Sequence, residues 1–331
     1  MCAQRLSFLA LPARTIPVLR VALPGHPDGF RTALQQSFES SLRSALLIIK
    51  LIVPLYILAD ILLYFDLLRH LTFLFAPITS FLDLPTEAAM AVAAGILLNL
   101  YAAIAFAAPL GLTPYQWTIL AVFLGVCHSL IVECAVMKRL GVSSIYSVFL
   151  RGTMAFVTVL PVMIMPASFF GSRVEQGTAV LKQYDSFSTM LTGSVSNALL
   201  LSIKIIVLIA GIIFFMDWLK STRIMKEYSG RVNSSFSIIV GQLLGITYGA
   251  GILIREVDAG HLDRKDIFFI ATFLMICHSI IEDALLFVIF GANYWVIIGV
   301  RVAAAFIISF FLLSLFSTFL PVQRVVKSVK L

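Results

Sequence analysis

The sequence predicts an all-α, polytopic membrane fold of about eight (8–10) transmembrane helices built from two tandem homologous repeats. Three observations carry this. The chain is 60% hydrophobic and 12% charged, with a mean hydropathy of +1.01, too apolar to cover itself with polar side chains in water. Apolar runs recur along it, each long enough to cross a hydrocarbon core of ~30 Å at ~1.5 Å per residue. Residues 121–156, AVFLGVCHSLIVECAVMKRLGVSSIYSVFLRGTMAF, align without a gap with residues 271–306, ATFLMICHSIIEDALLFVIFGANYWVIIGVRVAAAF, and eleven of the 36 positions are identical. The first repeat is placed at residues 41–185 and the second at 186–331.

Residues 1–40 mix arginines with prolines and read as a partly disordered cytoplasmic tail, since Arg and Pro interrupt every candidate signal-peptide core. The first span is about Leu42–Tyr64 and carries Lys50, read as either a gating charge or a lysine near a helix end that reaches the headgroups. Residues 67–82 are apolar but short, and fit a short span, a re-entrant segment or an interfacial helix. The second span, about Thr86–Ala108, is rich in small residues and contains Gly95 and Asn99. Pro114 opens the third, to about Val136, and the fourth runs from about Ser144 to Phe170 with Pro161 and Pro166 late in it. After a polar connection at 171–188, the fifth span (about Met190–Trp218) carries Lys204. A basic stretch, 219–233, leads to a glycine-rich sixth (about Phe236–Ile254), and a charged loop leads to a seventh (about Ile267–Phe290) and an eighth (about Tyr294–Leu320). On this count the 219–233 stretch and the N-terminus fall on opposite sides, so Lys and Arg orient the chain only weakly.

The duplicated stretch places the same chemistry twice in apolar sequence: Cys127-His128-Ser129 with Glu133 and Arg151, and Cys277-His278-Ser279 with Asp283 and Arg301. In each copy the carboxylate and the arginine are equidistant from a turn next to Gly141 or Gly291. Antiparallel helices then put both at one depth, so Glu133 is expected to pair with Arg151, and Asp283 with Arg301. An unpaired charge there costs at least ~2.5–3.5 kcal/mol, so pairing is expected whether it only fastens helices or also lines a path. Exchanging Glu133 for Arg and Arg151 for Glu together is accordingly expected to restore insertion relative to either single change. On continuous helices Ser129 shares a face with Glu133, His278 shares one with Glu282, and each histidine points ~100° away from its serine. Histidines at both symmetric positions suggest that the two meet between the repeats, where transporters commonly bind substrate. Asn99 faces either a pathway or a neighbouring helix.

Cys127, His128, Cys277 and His278 offer thiolate and imidazole to a soft or borderline metal, but adjacent residues on one helix diverge too far to chelate one ion easily. The cysteines read as small packing residues. Ser129 beside His128 does not face it on a helix, and no Gly-x-Ser-x-Gly or His-Glu-x-x-His motif occurs, so neither an enzyme nor a cofactor is expected. The net charge of +7 belongs to short loops and termini facing lipid headgroups, not to nucleic-acid binding.

The run LPTEAAMAVAAGILLNLYAAIAFAAPLGLTPYQWTILAVFLGVCHSLIVECAVMKRLGV, residues 84–142, resembles the Gate, or nucleoside-recognition, domain found in the membrane module of ferrous-iron transporter B and in spore maturation proteins A and B. Gly95-x-x-x-Asn99 and the His128-Ser129 helix with Glu133 carry the resemblance, which recurs more faintly at 234–320. It implies a multi-pass protein of the bacterial cytoplasmic (inner) membrane in which two Gate units build a transport core. The expected function is a transporter or channel for a small solute or ion. Its pathway would be lined by His128, Ser129, Glu133, Arg151, His278, Ser279, Asp283, Arg301 and Asn99. The alternative is a non-transporting scaffold in which these residues only hold helices together. Membrane lipid is an expected partner, and a homo-oligomer is compatible with the sequence.

Overall fold

The computed structural model describes residues 27–67, 72–170, 184–221, 262–318, 322 and 325–326, and among them it is helical without strands. The long helices are α1 (Pro27–Tyr64), α5 (Pro114–Cys127) continued by α6 (Leu130–Arg139), α7 (Ser144–Met163), α8 (Phe187–Ser221), α9 (Arg264–Ile276) continued by α10 (Ile280–Val288), and α11 (Tyr294–Thr318). The short ones between α1 and α5 are α2 (Ala76–Phe81), α3 (Ala89–Leu97) and α4 (Leu100–Ala107). Six stretches among the described residues are long and apolar enough to cross a membrane: Ser37–Tyr64, Pro114–Arg139, Ser144–Met163, Phe187–Phe215, Arg264–Val288 and Tyr294–Thr318. The protein is therefore an all-α, multi-pass membrane protein.

Helix starts follow local chemistry. Thr113 accepts from the Gln116 backbone N–H while the Gln116 side chain accepts from the Thr113 N–H, and Pro114 follows in the first turn, where its missing N–H is no loss. Asp263 and Asp266 form the equivalent capping box at α9. Both hairpins turn at a glycine in the left-handed region, Gly141 (φ 82°) and Gly291 (φ 96°), as the sequence predicts. Pro161 falls within the end of α7 and Pro166 beyond it, so the fourth span stops at Met163 instead of Phe170.

The expected second span, Thr86–Ala108, is not one crossing. α3 and α4 fold back on one another: a Cβ on Gly95 would lie 3.1 Å from the Cβ of Ala103, whereas positions eight apart in a continuous helix are ~12 Å apart. The chain turns at Leu98-Asn99, where Asn99 is extended and caps α4 by accepting from the Ala102 N–H at 2.9 Å. The result is a half-depth hairpin of small residues. Residues 72–81, in the segment left open by the sequence, form a three-residue 3-10 turn and the six-residue α2, too short to span. The sixth predicted span, most of the basic 219–233 stretch and the tail lysines and arginine lie outside the described residues.

α1 and α8 pack antiparallel, with Ser37 donating to Asp217 (2.6 Å) at one end and Ser194 donating to buried Asp60 (2.5 Å) toward the other. The same register sets Lys50 level with Lys204, both exposed on the outer face and well inside their helices, not near the ends as the shorter predicted span put Lys50.

The two hairpins α5–α7 and α9–α11 run in opposite directions. The start of α5 meets the second turn, since the Asn293 N–H donates to Thr118 Oγ1 (2.9 Å) and Trp117 stacks on Phe290 at 4.3 Å. Conversely, Tyr146, just past the first turn, bonds Thr272, in the first half of the α9–α10 crossing, at 2.7 Å. With α3–α4 turning back, the chain crosses four times before residue 219, not five. The N-terminal end of α1, the first turn with Lys138 and Arg139, and the C-terminal end of α8 thus share one side, and Val325 joins them by accepting from the Ser143 N–H (2.8 Å).

Candidate functional site

Both long hairpins are interrupted at the repeated Cys-His-Ser. α5 ends at Cys127, Ser129 adopts the left-handed conformation (φ 48°, ψ 36°), and α6 restarts at Leu130. α9 ends at Ile276, Ser279 takes φ 45° and ψ 38°, and α10 restarts at Ile280. The continuous helix expected from sequence is therefore broken here: Ser129 stays one turn ahead of Glu133, whose N–H donates to its carbonyl at 3.0 Å, but it does so as a left-handed N-cap separated from the helix that ends at Cys127. A non-glycine residue at such φ is strained by about 1–2 kcal/mol. Ser279→Val, whose branched Cβ worsens that strain, is expected to lower stability by about 1–3 kcal/mol while Ser279→Gly is tolerated, read as thermal midpoints of the purified protein.

A helix break in lipid exposes backbone carbonyls that water cannot reach. The two arginines, both fully buried, satisfy them. Arg151 donates from Nε to the Val126 carbonyl (2.8 Å) and from Nη2 to the His128 carbonyl (3.0 Å). Arg301 donates from Nη2 to the His278 carbonyl (2.9 Å) and, across the hairpins, to the Gly125 carbonyl (2.7 Å). The tip of the α3–α4 hairpin reaches the same level: the Ser129 N–H donates to the Gly95 carbonyl at 3.0 Å and its hydroxyl to the Leu98 carbonyl at 2.9 Å.

The ion pairs differ between copies. Arg151 Nη1 pairs directly with Glu133 Oε2. Arg301 Nη2 approaches Asp283 Oδ2 only to 3.6 Å, and Asp283 Oδ2 and Arg301 Nη1 are buried without a hydrogen bond. The second predicted pair is thus an electrostatic contact without a hydrogen bond.

The histidines meet between the hairpins, ring centroids 5.3 Å apart, and both reach one carboxylate oxygen: Glu133 Oε1 lies 2.9 Å from His128 Nε2 and 3.2 Å from His278 Nε2. Their Nδ1 atoms lie 2.8 Å from the Leu124 and Leu274 carbonyl oxygens. A carbonyl only accepts, so Nδ1 carries the proton and Nε2 is the atom presented to the site. Glu133, Glu282 and Asp283 all occupy first turns of α6 or α10, where the helix dipole favours a negative charge.

Two sequence expectations do not hold in detail. Asn99 caps its own helix and neither joins the cluster nor bridges to a neighbour. Glu282 accepts from the Tyr101 hydroxyl (3.1 Å) instead of sharing a face with His278. Cys127, read as a packing residue, is buried, with its Sγ 3.3 Å from the Phe123 carbonyl. The sequence reading assigns Gly125 no role in the site, although its carbonyl accepts from Arg301. Its signal in the sequence is that it stands opposite Met275, a small residue against a large one between the shared Phe-Leu and Cys-His-Ser of the two copies.

No family model matches the chain, and no solved structure matches it. An uncharacterized membrane protein of Bacillus subtilis (strain 168), YvoD, is 27% identical over 274 residues, which cover 78% of this chain and 87% of that protein. The comparisons thus place the chain beside a bacterial membrane protein of similar extent.

Proposed function

We propose that this protein is a transporter or channel for a small solute or ion, with a pathway passing the His128–Glu133–His278 cluster between two oppositely oriented repeats at 41–185 and 186–331. The observation that carries this is the meeting of helix ends inside the membrane. α5 and α9 stop there, α6 and α10 start there, and four titratable side chains fill the gap between them. Interrupted helices in opposed repeats are the usual architecture of a binding site at the bilayer midplane, because helix ends present unpaired backbone groups to a ligand. The Gate resemblance points the same way. The shared side of the N-terminal end of α1, Lys138, Arg139, the C-terminal end of α8 and Val325 is assigned to the cytoplasm of a bacterial cell, its membrane being the cytoplasmic (inner) one. No enzymatic activity is proposed, in keeping with a Ser129 hydroxyl donated to a carbonyl and not to His128.

The scaffold reading is favoured by the arginines, whose hydrogen bonds close helix ends. Flux separates the two. Purified protein in liposomes, assayed against a panel of cations, anions and neutral solutes with internal reporters, is expected to pass at least one. His128→Gln combined with His278→Gln should abolish that flux while leaving a monodisperse protein. Unchanged flux in the double variant, or no flux of any solute by the native chain, favours the scaffold.

A further inference from the structure

We infer that the cluster is a binding site for a first-row divalent transition-metal cation, held by His128 Nε2, His278 Nε2 and the Asp283 carboxylate, with Glu133 Oε1 as a fourth ligand. This names the ligand class of the proposed pathway and rests on that reading of the site. One ligand atom each from His128, His278 and Asp283 lies within 4.8 Å of the others, and all three residues are buried. Ligand atoms around a tetrahedral ion with bonds of ~2.0–2.2 Å are about 3.3–3.5 Å apart. The two Nε2···Oε1 separations of 2.9 and 3.2 Å are already near that spacing. Asp283 has about 1 Å to close.

The hydrogen bonding around these atoms explains why a cation belongs among them. With Nδ1–H committed to the Leu124 and Leu274 carbonyls, each neutral imidazole offers Nε2 as an acceptor, and Glu133 Oε1 is an acceptor too. Three such acceptors converge within hydrogen-bonding distance only around positive charge, either a proton on Nε2 or a cation that takes its place. The Nδ1–H to carbonyl bonds are the outer contacts that fix the tautomer and aim of a metal-binding imidazole. Each carboxylate has an arginine beside it, Arg151 on Glu133 Oε2 and Arg301 3.6 Å from Asp283 Oδ2. Asp283 Oδ2, buried and without a hydrogen bond, is the unsatisfied group that a cation would draw in.

The donor set selects the ion. Two imidazoles favour zinc, ferrous or cobaltous ions over magnesium or calcium, which take oxygen ligands. The thiolate set read from sequence is not assembled, since Cys127 faces a carbonyl.

The test uses the full-length protein in detergent, stripped with a chelator and titrated with Co²⁺ as a visible-absorption probe. One Co²⁺ per chain is expected, with the intense ligand-field bands of a low-coordinate nitrogen/oxygen site, displaced by Zn²⁺ and not by Mg²⁺. His128→Gln with His278→Gln should lose the bands, and Cys127→Ala should keep them. A native chain that is monodisperse yet gives no such bands, bands that survive the double histidine change, or bands lost in the cysteine variant each overturn the site. Flux that requires the histidines but occurs without Co²⁺ binding sinks the metal and leaves the pathway. Co²⁺ binding without flux of any solute does the reverse.

Discussion

Replacing Arg151 with methionine is expected to be the most damaging single change to the fold, lowering stability by about 3–5 kcal/mol, because it leaves the buried carboxylate of Glu133 uncompensated. It also orphans the Val126 and His128 carbonyls where α5 breaks. A membrane protein of ordinary marginal stability loses most of its margin to such a change. Size-exclusion profiles after a heating series should show early aggregation. Glu133→Gln, which keeps an acceptor for Arg151, should be milder. The structure also changes what a charge exchange does. Glu133→Arg with Arg151→Glu restores the pair on paper, but it aims a carboxylate at two carbonyl oxygens, so no rescue is expected. A thermal midpoint of Arg151→Met within a degree or two of the native value would falsify the role assigned to this guanidinium.

Gly125→Ala should be nearly as severe for a different reason. A Cβ there would lie 2.9 Å from Arg301 Cζ and 3.0 Å from Nε and Nη1. Arg301 cannot swing aside cheaply, since it is fully buried and its Nη2 is held by the Gly125 and His278 carbonyls. Overpacking of about 1–3 kcal/mol, together with loss of a charge-assisted hydrogen bond between the hairpins, gives an expected loss of about 2–4 kcal/mol. Gly152→Ala is the control. A Cβ there meets nothing within 4 Å, so it should be neutral or stabilising by up to about 1 kcal/mol. Equal thermal midpoints for the two variants would remove the argument for a close Gly125–Arg301 contact.

Much of the site was legible in the sequence because repetition and the cost of buried charge are both local information. The offset between the two Cys-His-Ser stretches, and the equal spacing of Glu133 and Arg151 about Gly141, suffice to bring carboxylate and arginine to one depth. The approach of His128 to His278 followed from their equivalent positions. The helix breaks were not legible. A buried helix is apolar on every side, so an interruption at Ser129 or Ser279 leaves no mark on hydrophobic periodicity. Without the breaks, the arginines' carbonyl bonds could not be foreseen, and neither could the failure of the charge exchange.

By itself the sequence determined that this is an all-α membrane protein, where its hairpins turn, and which charged residues must find each other, because the transfer energies of side chains and the conformational freedom of Gly141 and Gly291 are properties of residues. The tertiary structure alone decided that α3 and α4 turn back at half depth, so that the expected second span is not a crossing. It also decided that the two hairpins oppose each other around a shared carboxylate oxygen. Hydropathy measures the length of an apolar run and is blind to its direction. Direction is set by packing, here by Asn293 reaching Thr118 and Tyr146 reaching Thr272.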